Sequence, residues 1–334
     1  MDAELRHTLA ETIQDDFPVR ERPFRVLGDR LGVQESEVLA QMRAWDGEKL
    51  REISAILEGE AFGWDSALVA GRVEPERIEE VAAIVNRHPT VTHNYERDHH
   101  YNLWFTIAVP PRMPMERTLE MLSRATGVAP FHPLRRTETY KIGVNFDLDS
   151  KESSTERVEL ESPERLEPDE RQRRMFRALQ KPLEIVERPF DRLAEWAGTD
   201  VAELLAFGRG MEQRGAVRRY VATFHHRDLG VRGNGMTVWD VEPERRSDVG
   251  RRLAEAPEVS HCYARNAIPR FPYTVYSMIH GPDEGSVRRI ARRLSDRVDV
   301  DDYRILFSSR EFKKCRLRYF LPQLQKWWGQ RRCD

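Results

Sequence analysis

The stretch VTHNYER at residues 91–97 returns, with three changes, as VSHCYAR at residues 259–265. An H-x-Y-x-R element therefore occurs twice in this chain of 334 residues. An earlier stretch, RERPFRVLGDRLG at residues 20–32, likewise returns as VERPFDRLAEWAG at residues 186–198. Self-similarity over so long a spacing indicates duplication of whole domains, so the chain is predicted to contain two copies of one plan.

Each copy begins with a helical pattern that breaks and resumes, as in RPFRVLGDRLGVQESEVLAQMRAW at residues 22–45. This pattern predicts a helix-turn-helix. Strand-like SALVAGRV at residues 66–73 and helix-like PERIEEVAAIVNRHP at residues 75–89 then begin the order β-α-β-β-α-β, which ends with strand-like TYKIGVNFDL at residues 139–148. We predict an α+β fold, a tandem duplication in which each half is a winged-helix-like helix-turn-helix domain followed by a ferredoxin-like domain.

The two copies are separated by an almost wholly polar segment that lacks core-forming residues and is predicted to be a solvated linker. The predicted order is a helix-turn-helix at 1–50, a ferredoxin-like domain at 51–148, the linker at 149–170, a second helix-turn-helix at 171–218 and a second ferredoxin-like domain at 219–334.

Composition limits the classes of partner. The formal net charge is −2 and the charged residues are balanced, so no basic field favours nucleic acid or an anionic membrane as a partner. The three cysteines, Cys262, Cys315 and Cys333, fit neither a disulfide framework nor a paired metal site, which favours a reducing cytoplasm. The sequence shows no signal-like segment and no apolar run of about 18 residues, so membrane insertion is not expected.

The repeated H-x-Y-x-R element is predicted to gather three functional side chains on one face of a strand. Successive side chains of a strand alternate between faces, so every second residue points the same way. In the first copy these residues are His93, Tyr95 and Arg97, and in the second copy they are His261, Tyr263 and Arg265. An imidazole, a phenol and a guanidinium together suit carboxylates or phosphates. The alternative is that the trios are ordinary hydrogen-bonding residues facing solvent or an interface.

Other histidines extend the set of candidates. His99 and His100 follow the first trio, but they lack partners at metal-binding spacing, so no metal site is predicted. The second copy carries His225, His226 and Arg227 where the first copy reads LEG. This asymmetry fits one active and one degenerate pocket, or simple drift of a solvated loop. Neither G-x-G-x-x-G nor a P-loop occurs, so no nucleotide cofactor is expected.

Particular strings resemble a known family. A helix-turn-helix followed by a ferredoxin-like domain is the layout of the Lrp/AsnC regulators. HNYERDHHYNLWFT at residues 93–106 resembles the A or D-type subunit of the siroheme decarboxylases. GVRGNGMTVWDV at 230–241 and VSHCYARNAIPRFPYTVYSMIHG at 259–281 resemble the B or L-type subunit. The chain thus resembles a fused two-subunit form, although EGEAFGWDS at 58–66 departs from the basic segment expected there and counts against catalysis in the first pocket.

The resemblance implies a carboxy-lyase. Siroheme decarboxylases remove carbon dioxide from the acetate side chains at C12 and C18 of siroheme and form 12,18-didecarboxysiroheme, for heme d1 or alternatively heme b biosynthesis. No added cofactor is implied, because the iron enters as part of the substrate. Siroheme is then the expected partner, and the two halves are expected to pair as a pseudo-dimer.

The implied substrate also suggests roles for residues. A flat ring edged with carboxylates needs an apolar slot and a cationic rim, and the carbon left after decarboxylation must take up a proton. The expected catalytic residues are His226, His261 and Tyr263. The expected substrate-binding residues are His93, Tyr95, Arg97, His99, His100, Trp104, His225, Arg227, Arg265 and Tyr273. A histidine could instead ligate the iron, and the sequence leaves both roles open.

Two other functions compete with decarboxylation. The first is a DNA-binding regulator, but the candidate recognition segment VQESEVLAQMRAWDGEKL at residues 33–50 is acidic and has Arg43 as its only arginine. The second is a heme-binding sensor or carrier without a reaction, which would use the same slot and rim.

Overall fold

The computed structural model describes residues 1–146, 153–156, 163–224 and 233–330. Within these ranges the predicted fold class is confirmed, because each half has a group of three helices and one strand, followed by β-α-β-β-α-β. No helix in this part of the chain is long and apolar enough to span a bilayer.

The first helix-turn-helix contains α1 (Ala3–Asp15), α2 (Pro23–Leu31) and α3 (Glu35–Trp45). Helix α2 begins with proline, which suits a position whose backbone N–H needs no helical partner. It ends at Gly32, whose φ of 69° is the left-handed conformation that glycine adopts without strain. Strand β1 (Leu50–Leu57) follows the three helices. Gly32 therefore ends α2 and begins the turn of the helix-turn-helix.

The first ferredoxin-like unit follows the predicted order. Its elements are β2 (Asp65–Gly71), α4 (Ile78–Asn86), β3 (His93–Arg97), β4 (Leu103–Val109), α5 (Met115–Thr126) and β5 (His132–Phe146). Strand β5 begins seven residues before the predicted start at Thr139. Its early part was missed because HPLRR has no alternating apolar pattern and contains a proline, which is uncommon in an internal strand. A short strand β6 (Ser153–Glu156) pairs with the end of β5 and lies within the predicted linker.

The second half repeats these elements. Its helix-turn-helix contains α6 (Glu170–Leu179), α7 (Pro189–Ala197) and α8 (Val201–Gln213), followed by β7 (Val217–Phe224). Its ferredoxin-like unit contains β8 (Gly233–Trp239), α9 (Arg246–Ala254), β9 (Val259–Arg265), β10 (Val275–Gly281), α10 (Glu284–Val298) and β11 (Tyr303–Lys314). Helix α11 (Pro322–Gln330) follows.

The two helical regions pack against each other around one hydrophobic core. Strands β1 and β7 pair antiparallel as a two-stranded sheet, so each helical region contributes one strand. Two reciprocal ion pairs cross the same contact: Arg22 Nη2 lies 2.8 Å from Glu187 Oε2, and Arg188 Nη1 lies 2.7 Å from Glu21 Oε2. Contacts that are repeated with the partners exchanged are the mark of a two-fold arrangement.

The main sheet closes on itself. Its strand order is β2-β4-β3-β11-β8-β10-β9-β5-β6, and β5 also pairs with β2, so eight of the nine strands form a ring. Strand β5 pairs with β2 through residues 132–135 and with β9 through residues 136–142. Strand β11 does the same in the second half, pairing with β8 through residues 303–307 and with β3 through residues 308–314. Each half therefore lends its last strand to the other.

Candidate active site

A cavity of about 780 Å³ lies within the strand ring, and every one of the eight strands contributes a lining residue. The two trios predicted from the sequence line it together, from β3 in the first half and from β9 in the second. Leu68, Met236 and Met278 add apolar surface. One space thus carries the side chains of both trios.

His93 is held by hydroxyl groups. Its Nδ1 lies 3.0 Å from Thr92 Oγ1 and 3.4 Å from Thr106 Oγ1, and the two hydroxyls are 2.7 Å apart. Loss of hydration, with the nearby charges of Lys314 and Arg51, lowers the pKa of His93 to about 4. The imidazole is therefore neutral at neutral pH, so it can donate through one ring nitrogen and accept through the other.

Tyr95 and Arg97 complete the first trio. Arg97 is buried, and its Cζ lies 5.5 Å from the centre of the Tyr95 ring. Arg97 Nη1 donates to the main-chain oxygen of Leu306, and loss of hydration lowers the guanidinium pKa to about 10. Burial and the carboxylate of Glu311 raise the pKa of Tyr95 to about 12. At neutral pH the trio therefore presents a neutral phenol and a cation.

His261 in the second trio makes a different set of contacts. Its Nδ1 lies 2.8 Å from Ser260 Oγ, and the same oxygen lies 2.6 Å from His280 Nε2. His280 Nδ1 lies 2.5 Å from Asn234 Oδ1. Loss of hydration lowers the pKa of His261 to about 4, and the charges of His93 and Lys141 act in the same direction. The imidazoles of the two trios line the same cavity.

Tyr263 is flanked by two guanidinium groups. Arg265 Cζ lies 5.4 Å and Arg136 Cζ 5.9 Å from the centre of its ring. Arg265 Nη1 donates to Leu134 O at 2.8 Å, and Arg136 Nη2 forms an ion pair with Glu60 at 2.6 Å. Loss of hydration raises the pKa of the Tyr263 phenol and lowers that of the Arg265 guanidinium. This end of the cavity therefore offers cations to an anionic ligand.

Several lining residues were missed from the sequence. Arg136 lies in the part of β5 that gave no strand pattern, so its position could not be inferred. His280 and Asn234 face each other across the β10–β8 pairing, which the sequence does not specify. Ser260 could have been predicted from the sequence, because both copies have a hydroxyl residue directly before the histidine, Thr92 in the first and Ser260 in the second.

Some predicted site residues lie away from the cavity lining. Trp104 is fully buried, donates from Nε1 to Tyr101 O at 2.7 Å, and packs on Phe271 in an aromatic cluster that borders the cavity. Tyr273 is buried in the same cluster and hydrogen-bonds through its hydroxyl to Asp302 and Arg304. Both side chains pack against the ring of Phe271.

The histidines after the first trio are also outside the lining. His99 is half-buried, accepts a hydrogen bond from the Tyr101 backbone at 3.1 Å, and has its pKa lowered by burial. His100 is exposed in the turn between β3 and β4. His225, His226 and Arg227 lie outside the described residues. Within the described ranges, no group of three or more His, Cys, Asp or Glu side chains is arranged to hold a metal ion.

Family comparisons agree with this architecture. Residues 61–141 and 228–313 match the AsnC-like ligand binding domain, and residues 7–50 match the siroheme decarboxylase NirDL-like HTH domain. The chain is 35% identical over 327 residues to a siroheme decarboxylase of Hydrogenobacter thermophilus, which covers 96% of this chain and 97% of the relative. It is 31% identical over 322 residues to the siroheme decarboxylase NirDL subunit of Paracoccus denitrificans, covering 94% and 96%.

A solved structure extends the likeness to three dimensions. The crystal structure of the siroheme decarboxylase NirDL in co-complex with an iron-uroporphyrin III analogue superposes with a TM-score of 0.80 at 30% identity. The match covers 98% of this chain and 99% of that chain. The fold, the duplicated organisation and the identity over nearly the full length agree, and the chain belongs to the siroheme decarboxylase family.

Proposed function

We propose that this protein is a carboxy-lyase that removes carbon dioxide from the acetate side chains at C12 and C18 of siroheme. The product is 12,18-didecarboxysiroheme, for heme d1 or alternatively heme b biosynthesis. The observation that carries the proposal is the single cavity to which both halves contribute a His-x-Tyr-x-Arg trio. Support comes from relatives named siroheme decarboxylase, which align over nearly the whole chain.

The cavity suits a ring of this chemistry. Its volume of about 780 Å³ falls in the range of small-molecule sites. Met236 and Met278 supply apolar contact for the faces of the ring, while Arg97, Arg136 and Arg265 supply cations for its carboxylates. Because the iron arrives with the substrate, the reaction needs no added cofactor.

The reaction requires a proton at a defined place. When the bond between the methylene and the carboxyl carbon breaks, carbon dioxide leaves and the electron pair stays on the methylene carbon. That carbon takes up one proton to become a methyl group. We assign the donor role to His261, with Tyr263 beside it, because both line the cavity and the imidazole has a hydrogen-bonded partner behind it.

The arginines have a different role. An arginine that binds the departing carboxylate stabilises the ground state more than the transition state, in which that charge is dispersing. We therefore assign Arg97, Arg136 and Arg265 to the carboxylates that remain on the ring. His93 and Tyr95 belong to the same proposed site. The binding roles of His99, His100, Trp104 and Tyr273 stay predictions from the sequence, as do those of His225, His226 and Arg227.

We also propose that the two halves act as a pseudo-dimer. The exchange of β5 and β11, the pairing of β1 with β7 and the two reciprocal ion pairs support it. The domain boundaries, the absence of a nucleic acid partner and the cytoplasmic location stay predictions from the sequence.

Anaerobic incubation of the purified protein with siroheme tests the function. Mass spectrometry should detect two successive losses, each of one carbon dioxide. Binding of siroheme without either loss would contradict the proposal and favour a carrier. A gel shift with genomic and random DNA at several salt concentrations tests the alternative function of a DNA-binding regulator. Such a regulator would bind DNA in a salt-dependent way.

A further inference from the structure

We propose that Ser260 and His280 form a proton relay that supplies His261 during the reaction. The inference rests on the proposed function and extends it, because it adds two residues that do not touch the reacting carbon. Ser260 and His280 act on the substrate only through His261, so we call them positioning residues.

The relay is a continuous set of hydrogen bonds. Ser260 Oγ lies between two imidazoles, 2.8 Å from His261 Nδ1 and 2.6 Å from His280 Nε2. His280 continues through Nδ1 to Asn234 Oδ1 at 2.5 Å. All three residues line the cavity; Ser260 is buried, His280 is half-buried and Asn234 is exposed, so the series runs along the cavity wall to a residue that water reaches.

The reaction explains the need for a relay. A ring that fills the cavity displaces water from its lining, so a proton reaches the reacting carbon through the side chains that remain in contact with the ring. The low pKa of His261 means that it does not store an extra proton at neutral pH. It can still donate one if it gains another at the same time through its second ring nitrogen. Each of the two decarboxylations consumes one proton, which must come from solvent.

The transfers balance without any oxidant or reductant. When His280 is protonated, its Nδ1–H donates to Asn234 and its Nε2–H to Ser260, while the Ser260 hydroxyl donates to His261 Nδ1. As carbon dioxide leaves, the Nε2–H proton of His261 passes to the methylene carbon. His261 Nδ1 takes the Ser260 proton, and Ser260 takes the proton of His280 Nε2. His280 is left neutral and regains a proton from solvent.

The first half lacks this relay at the equivalent positions. Thr92 takes the place of Ser260 and contacts His93 Nδ1, but Ala108 stands where the second half has His280. Ser66 lies opposite Ala108 in the strand pairing, as Asn234 lies opposite His280. Thr92 instead contacts the hydroxyl of Thr106. The two halves share the histidine, tyrosine and arginine, and they differ in what supplies the histidine with protons.

The first half also provides the test variants. His280→Ala and Ser260→Thr introduce the residues that the first half carries, and Ser260→Ala removes the hydroxyl. Single-turnover decarboxylation of siroheme, measured by mass spectrometry, should slow about tenfold or more in His280→Ala and Ser260→Ala. Ser260→Thr should keep most of the rate, and added imidazole should restore the rate of His280→Ala. In His280→Ala and Ser260→Ala the rate should fall by a larger factor than siroheme affinity, which spectroscopic titration measures.

Controls separate a relay from a structural role. Ser295→Ala removes another buried serine hydroxyl, which donates to Val300 O at 2.8 Å and is not part of the cavity lining, and this variant should turn over like the wild type. A His280→Ala protein that turns over at the wild-type rate would overturn the relay alone. The relay would also be overturned if added imidazole did not restore the rate of His280→Ala and if Ser260→Thr were as slow as Ser260→Ala. Wild-type protein that binds siroheme without releasing carbon dioxide would overturn the proposed function as well.

Discussion

Arg97 and Arg265 make the same contact in opposite directions between the two halves. Arg97, on β3 of the first half, donates to the carbonyl of Leu306 on β11 of the second half. Arg265, on β9 of the second half, donates to the carbonyl of Leu134 on β5 of the first half. Each guanidinium is therefore oriented by the strand that the other half lends, and its remaining N–H groups can serve a ligand.

Replacing Arg265 should weaken siroheme binding. Arg265→Ala removes a cation from the cavity, and a charge-assisted hydrogen bond is worth about 1.5–3 kcal/mol, or roughly a tenfold or greater rise in Kd. It also removes the hydrogen bond from Arg265 Nη1 to the Leu134 carbonyl, so Tm should fall. Spectroscopic titration and thermal unfolding measure the two effects. Arg112→Ala, at an exposed loop position, is the matched control, and equal affinities in both variants would contradict the assignment.

Replacing His261 should stop the chemistry and spare binding. His261→Ala should lower single-turnover decarboxylation about a hundredfold or more, the usual contribution of a positioned acid. The absorption spectrum of bound siroheme separates the two roles that the sequence left open. An unchanged spectrum fits a proton donor, whereas a changed iron spectrum would identify His261 as a ligand and count against the donor role. His7→Ala, on α1, serves as the control for loss of a histidine elsewhere.

The two cavity histidines should make stability depend on pH. The pKa of His93 and that of His261 fall to about 4 in the folded protein, against an ordinary value of about 6.5. Between these values the unfolded chain binds more protons, so the free energy of unfolding should decrease as pH falls from about 6.5 to about 4. The effect is on the order of 1–3 kcal/mol for each histidine.

Urea unfolding at a series of pH values measures this dependence. The double variant His93→Gln, His261→Gln should lose much of the slope between about pH 6.5 and pH 4, while stability above that window changes for other reasons such as packing. A slope identical to that of the wild type would show that these imidazoles do not titrate as described.

Separating the halves should abolish turnover reversibly. A chain cut within the predicted linker at 149–170 yields two pieces, each missing the strand that the other lends. Either piece alone should lack decarboxylase activity, and coexpression should restore copurification and turnover. An active single half would contradict the pseudo-dimer.

The sequence predicted the parts that depend on local pattern. The duplication, the order of helices and strands, and the shared orientation of His93, Tyr95 and Arg97 follow from periodicity and turn residues, and the structure has each of them. Proline at the start and glycine at the end of α2 and α7 explain why both helical motifs fold alike.

What the sequence could not predict depends on which strands meet. The exchange of β5 and β11 is a long-range pairing, and it alone brings Arg136 beside Tyr263. Trp104 was predicted to bind substrate, but whether it lines a cavity or packs against Phe271 depends on a ring from the other half. His280 is unremarkable in the sequence until its strand lies beside that of Ser260.

The closed ring of strands also bears on how such a site can change with time. In a symmetric homodimer, one substitution alters both ends of a shared cavity at once. In a single fused chain the two ends can change independently. The first half has Thr92 and Ala108 at the positions where the second half has Ser260 and His280. A substrate whose edge is itself irregular can then meet a different set of groups on each side, while the framework around it keeps its two-fold form.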